Sequence, residues 1–124
     1  MTLRPTTLDH INMSVKNLEE SIKFYKDLFG FEVKKDQADQ NSKIIGNDKI
    51  KLCLYEDPEM KPEGGIAHFG FHIENFDEII ETCKKFGVTI FYDGPVQFEK
   101  SRSVYIADPS GYDIELSEVS GGGL

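Results

Sequence analysis

The sequence predicts an α+β fold made of two tandem βαβββ modules. Three observations predict it. Short segments with apolar and polar residues in alternation are interrupted by two runs whose apolar residues recur at helical spacing. The order strand, helix, strand, strand, strand is met twice. The two passes also match in residues: HINMSVKNLEE lies over HFGFHIENFDE, and Phe29-Gly30-Phe31 over Phe86-Gly87-Val88. Internal duplication of this kind constrains a fold more than any single element does.

The elements follow in order. Leu8–Val15 alternates, with Ile11, Met13 and Val15 on one side and His10, Asn12 and Ser14 on the other, as in a half-buried strand. Asn17 reads as an N-cap with Glu20 completing a capping box. Leu18, Ile22, Tyr25 and Phe29 form an apolar helical stripe that Gly30 ends. Phe31–Lys35 is a strand, Gln37–Ser42 a polar loop, Lys43–Ile45 a strand and Gly46-Asn47-Asp48 a turn. Ile50–Tyr55 follows as a strand with Ile50, Leu52 and Leu54 on its apolar side. Asp57–Gly65 is the connector between modules.

The second pass begins with a strand at Ile66–Ile73. Asn75 reads as an N-cap with Glu78 three residues on, and Phe76, Ile79, Ile80 and Cys83 as the helical stripe, closed by Gly87. Val88–Tyr92 is the next strand. VYIADPSGYDIEL, residues 104–116, is a hairpin whose turn is Asp108-Pro109-Ser110-Gly111, where proline presets φ and glycine tolerates positive φ. Module one covers about residues 8–56 and module two about 66–118. Together they read as a single domain over 1–124, with a curved mixed sheet and helices on its outer face. The final Ser-Gly-Gly-Gly-Leu reads as a frayed tail.

Composition narrows the partners. The 124 residues are 39% hydrophobic and 29% charged, enough for a packed core, and the formal net charge is −8. An acidic chain is a poor match for nucleic-acid phosphates or an anionic membrane surface. No apolar run is long enough for a membrane span, and the polar N-terminus is no signal peptide, so a cytoplasmic protein is expected. Cys53 and Cys83 form no CxxC pair and read as reduced thiols.

Parity leaves a polar face opposite the helices: His10, Asn12, Ser14, Lys51, Cys53, Tyr55, His68, His72, Ser103, Tyr105, Asp113 and Glu115. His10 and His68 occupy equivalent positions in the two modules, and Glu115 shares their parity. Two imidazoles and a carboxylate suit Zn, Ni, Fe, Mn or Co and leave coordination positions open for substrate. His72 aligns with Ser14 rather than with the other histidines and reads as a supporting residue. Tyr105 is a candidate proton donor to a substrate oxygen. Asn12, Tyr55 and Ser103 are candidate substrate contacts. The remaining acidic residues at positions 19, 20, 77 and 78 suit the positive ends of helix dipoles.

The runs LDHINMSVKNLEESIKFYKDLFGFEV, IAHFGFHIENFDEIIETCKKFGV and SVYIADPSGYDIEL resemble the vicinal-oxygen-chelate superfamily, which includes glyoxalase I, fosfomycin-modifying enzymes, extradiol dioxygenases and bleomycin-resistance proteins. The resemblance implies paired βαβββ modules, metal ligation by His10, His68 and Glu115, and a homodimer. It implies a divalent-metal enzyme acting on a small oxygen-bearing substrate by lyase, isomerase, epoxide-opening or ring-cleavage chemistry. The other class it contains is a binding protein that sequesters a small molecule in the dimer cleft without catalysis. Glyoxalase I members usually carry a second carboxylate on the last strand of module one, where parity here presents Lys51, Cys53 and Tyr55, with Glu56 facing the other way unless a bulge turns it inward. LCLYEDPE resembles the fosfomycin thiol transferases, but Tyr92 stands where those have a basic residue on the sixth strand.

Overall fold

The computed structural model describes residues 2, 4, 6–62 and 67–120. The chain divides into two compact units, residues 1–60 and 61–124. In the first, β1 (Ile11–Val15), α1 (Leu18–Phe29), β2 (Glu32–Gln37), β3 (Ser42–Gly46) and β4 (Lys51–Glu56) follow one another. The second contains β5 (Phe69–His72), α2 (Ile79–Phe86), β6 (Val96–Gln97), β7 (Arg102–Ala107) and β8 (Asp113–Ser117). The sheet orders are β1-β4-β3-β2 and β5-β8-β7-β6. In each, the first strand runs parallel to the last and the other pairings are antiparallel. The predicted α+β class and the duplicated βαβββ order are therefore both observed. Ile66 and residues 121–124, where a strand start and a frayed tail were expected, lie outside the described residues.

Alternation decides which side chains reach the core. Met13, Val15, Ile45, Leu52 and Leu54 are buried in the first sheet, and Val104, Ile106, Ile114 and Leu116 in the second. From α1, Leu18 and Tyr25 are buried. Tyr25 stacks on Phe31, with ring centroids 6.1 Å apart and planes within 8°. From the second helix, Ile79 and Cys83 are buried.

The start of α1 has two caps. The Glu20 N–H donates to Asn17 Oδ1 at 2.9 Å, and the Leu18 N–H donates to Glu56 Oε2 at 2.8 Å. Both satisfy N–H groups that have no partner inside the helix. Glu56 thus has the parity the sequence assigned it. It serves the helix, with no bulge to turn it to the opposite face.

The second helix departs from expectation. Its first turn, Phe76–Glu78, is 3-10, and Asn75 makes no side-chain bond to a backbone N–H; its amide donates to the Glu78 carboxylate instead. The sheet register explains the difference. Ile11 pairs with Leu52 and Phe69 with Ile114, so Glu118 is the counterpart of Glu56. Glu118 accepts from the Arg102 guanidinium at 3.2 Å (Nε) and 2.6 Å. A paired guanidinium binds a carboxylate more strongly than a lone amide does, and it holds Glu118 away from the helix end. Arg102 also lies 4.7 Å above the Phe76 ring and 3.0 Å from Asp77.

The strand expected at Val88–Tyr92 is replaced by a single bridge, Ile90 to Ile106. Tyr92 and Asp93 have φ of 59° and 60°, and the Gly94 N–H closes the turn on the Phe91 carbonyl at 3.3 Å. Positive φ cannot continue a strand. The sixth strand is Val96–Gln97 instead, paired with β7. At the N-terminus β1 starts at Ile11, and Leu8 is exposed.

Candidate functional site

The side chains that converge in the second module are placed by three adjacent strands. β7 and β8 are antiparallel, with Tyr105 opposite Glu115 and Ser103 opposite Ser117. Directly opposed residues of an antiparallel pair project to the same face with neighbouring Cβ atoms. β5 lies on the other side of β8 and runs parallel to it, with Gly70 beside Glu115. His68, two residues before Gly70, shares that face. A Cβ at Gly70 would sit 3.1 Å from the Glu115 carbonyl oxygen and 3.5 Å from its Cβ. Glycine leaves this side of Glu115 uncovered.

Glu115 is the centre of the cluster. Its Oε1 lies 3.1 Å from His68 Nε2. Its Oε2 accepts from Ser103 Oγ and Ser117 Oγ, each at 3.0 Å. Tyr105 also donates its hydroxyl to the carboxylate. Partial burial opposes ionisation of Glu115, but the hydrogen bonds from Tyr105, Ser103 and Ser117 and the nearby His68 outweigh it and lower its pKa. Burial, followed by the bond to anionic Glu115, pushes the Tyr105 phenol up to about 12. The site therefore holds a carboxylate and a protonated phenol together across the neutral range. The rings of His68 and Tyr105 meet edge to face at 5.8 Å, and Tyr92 meets Tyr105 in the same way at 5.4 Å.

An imidazole nitrogen and a carboxylate oxygen that converge on one point, with the second oxygen tied back by two hydroxyls, are a donor pair that fits a divalent first-row metal. Among the described residues, no group of three or more His, Cys, Asp and Glu side chains is gathered.

Of the sequence-predicted residues, the structure brings together His68, Glu115, Tyr105 and Ser103. His10, Asn12 and Tyr55 belong to the first module. His10 directly precedes β1, as His68 precedes β5, and its Nδ1 lies 2.8 Å from Asp9. Asn12 is exposed on β1, and the Tyr55 hydroxyl lies 3.4 Å from Gln40 Oε1. His72 is exposed on β5, paired with Ser117. Sequence reasoning did not single out Ser117. The signal was present, because Ser117 is two residues after Glu115 on the same strand face.

The chain belongs to the Glyoxalase/Bleomycin resistance protein/Dioxygenase superfamily, whose family model matches residues 7–116. Similar to it is the metallothiol transferase FosB of Staphylococcus epidermidis, 31% identical over 114 residues that cover 90% of this chain and 80% of that protein. The fosfomycin resistance protein FosX of Listeria monocytogenes is 30% identical over 124 residues, covering 94% of this chain and 90% of FosX. A crystal structure of FosX from Listeria monocytogenes matches with a TM-score of 0.79 and 24% identity, covering 98% of this chain and 94% of that one. No helix among the described residues is long and apolar enough to cross a membrane.

Proposed function

We propose that this chain is a divalent-metal enzyme that opens a small oxygen-bearing electrophile, an epoxide, with a thiol or water as nucleophile. The observation that carries the proposal is the convergence of His68 Nε2 and Glu115 Oε1, 3.1 Å apart, beside the Tyr105 hydroxyl. Similarity to the metallothiol transferase FosB and the fosfomycin resistance protein FosX supports this reaction class over the other chemistries of the superfamily.

His68 and Glu115 would hold the ion, with His10 as the third ligand. An ion of the zinc, nickel, iron, manganese or cobalt type, when bound, polarises substrate oxygens and stabilises negative charge developing on them. The residues of the chain do the rest. Ser103 and Ser117 hold Glu115 Oε2, which leaves Oε1 directed toward His68. Tyr105 keeps its proton at neutral pH and presents it where an alkoxide develops. As the nucleophile forms its bond to carbon, the C–O bond breaks and the oxygen takes a proton from Tyr105 Oη. The proton given up by the thiol or water restores the phenol. Asn12 and Tyr55 are the proposed substrate contacts of module one. The same reading makes the two modules one functional domain over 1–124, two copies a homodimer, and the cytoplasm its location.

Elemental analysis tests the proposal. One manganese, zinc or nickel per chain after reconstitution, lost in His68→Ala, is expected, together with metal-dependent opening of a small epoxide by thiol or water that EDTA stops. Wild-type protein that holds no metal overturns it. Metal-free protein that binds the small molecule unchanged fits the sequestering class instead.

A further inference from the structure

We infer that Tyr92 is a specificity-determining residue, whose ring holds an uncharged aryl or alkyl group of the substrate at the edge of the His68–Glu115 cluster. The inference rests on the cluster's being a substrate site and adds the class of substrate it takes.

Tyr92 and Asp93 are the two central residues of a turn in which both φ values are positive, 59° and 60°. That turn type favours asparagine and glycine, and a bulky aromatic residue there is an outlier. The turn has its glycine one place later, at Gly94, whose N–H closes it. Nothing in the turn itself needs an aromatic at position 92. Tyr92 is nevertheless 73% exposed, so it is not held there by core packing. Its ring instead meets Tyr105 edge to face at 5.4 Å, and Tyr105 in turn meets His68 at 5.8 Å and donates to Glu115. Unfavourable backbone maintained at a reacting cluster is a mark of function.

Charge narrows the group that Tyr92 receives. Of the side chains that contact Glu115, only His68 can carry a positive charge. Arg102, on β7, has its guanidinium on Asp77, Glu118 and the Phe76 ring, on the helix side of the strand. Beyond His68, a doubly charged substituent finds no cation among the described side chains that contact Glu115, whereas an apolar one finds the exposed ring of Tyr92. The ring offers apolar area and a hydroxyl at low entropic cost.

The test measures binding of two probes, 1-phenyl-1,2-ethanediol and inorganic phosphate, by calorimetry with and without manganese, in wild type, Tyr92→Gly, Tyr92→Phe and Tyr92→Lys. Metal content is measured separately. The aryl diol is expected to bind the wild type more tightly than phosphate does. Tyr92→Gly is expected to weaken the aryl diol about tenfold while raising the melting temperature, because glycine relieves the turn. Tyr92→Phe keeps most of the affinity, and Tyr92→Lys reverses the preference toward phosphate. Manganese content is unchanged in all three variants. Aryl-diol affinity that is absent in the wild type, or the same in Tyr92→Gly, overturns the inference whether or not metal is held. Loss of metal uptake with the Tyr92 effect intact overturns the metal reading and leaves this one standing.

Discussion

The two modules share one topology and one register, yet among the described residues the second gathers a carboxylate, an imidazole and a phenol where the first does not. Position by position, Glu115 has Cys53 as its counterpart, Tyr105 has Ile44, Ser117 has Tyr55, and Gly70 has Asn12. Ser103 meets its own kind, Ser42, as His68 does in His10. In module one that serine donates to Gln37 Oε1 at 2.9 Å, and Cys53 Sγ lies 3.9 Å from the same oxygen. The first cluster is a neutral network on β2, β3 and β4, and the second is a carboxylate with four donors around it. The helix ends differ in the opposite sense. Glu56 caps α1, whereas its counterpart Glu118 is held by Arg102 and the second helix opens with a 3-10 turn. Duplication preserved the backbone and the buried apolar positions, and divided the polar positions between holding a helix and building a site.

The strongest way to break this comparison is at the central pair. Glu115→Ala is expected to lower metal affinity by about 100-fold or more, since even the partners of a ligand are worth about 10–100-fold, while Cys53→Ala leaves metal content unchanged. Metal titration followed by elemental analysis checks both, and equal effects would dissolve the distinction between the modules. The matched serines sharpen it. Ser103→Ala is expected to reduce metal affinity about tenfold. Ser42→Ala costs only about 1 kcal/mol of stability, read by urea unfolding, with metal binding untouched.

The helix ends give the next effect. Glu56→Gln removes a charged cap and lowers stability by about 1 kcal/mol, also read by urea unfolding. For the counterpart, Arg102→Met is expected to lower the melting temperature at neutral pH. Arg102 depresses the Glu118 pKa in the folded chain. Its stabilisation is present above the ordinary carboxylate pKa and is lost as pH falls through the depressed value. The gap between wild type and Arg102→Met should therefore close in acid, and a gap independent of pH would refute the role given to this pair.

The smallest effect concerns the thiols. Burial pushes the Cys83 thiol up and encloses it in the core, whereas Cys53 is only half-buried. Native-state alkylation followed by mass spectrometry should modify Cys53 first.

Much of this was legible in the sequence because it depends on local periodicity. Alternation placed Leu52, Leu54, Ile114 and Leu116 in the cores and Glu115 on the opposite face, and the repeat paired His10 with His68. Asn17 and Gly30 announced the ends of α1 by their chemistry. The misreadings fall where backbone conformation or a distant residue overrides a local pattern. VTIFY has the composition of a strand, but consecutive positive φ values at Tyr92 and Asp93 end it after one bridge. Asn75 has the N-cap pattern, but its amide turns to Glu78, and Arg102, 27 positions along the chain, holds Glu118, the counterpart of the glutamate that caps α1.

The sequence by itself determined the duplicated βαβββ order, the buried face of each strand and the residue types offered on the other face. These follow from side-chain periods of two and 3.6 that neighbouring residues enforce. Only the tertiary structure decided that Ser117 joins Ser103 on one oxygen of Glu115, that His68 reaches the other, and that Tyr92 leans on Tyr105. Those contacts depend on strand register and on which of two partners wins a shared carboxylate, and neither is written in any local stretch of the chain.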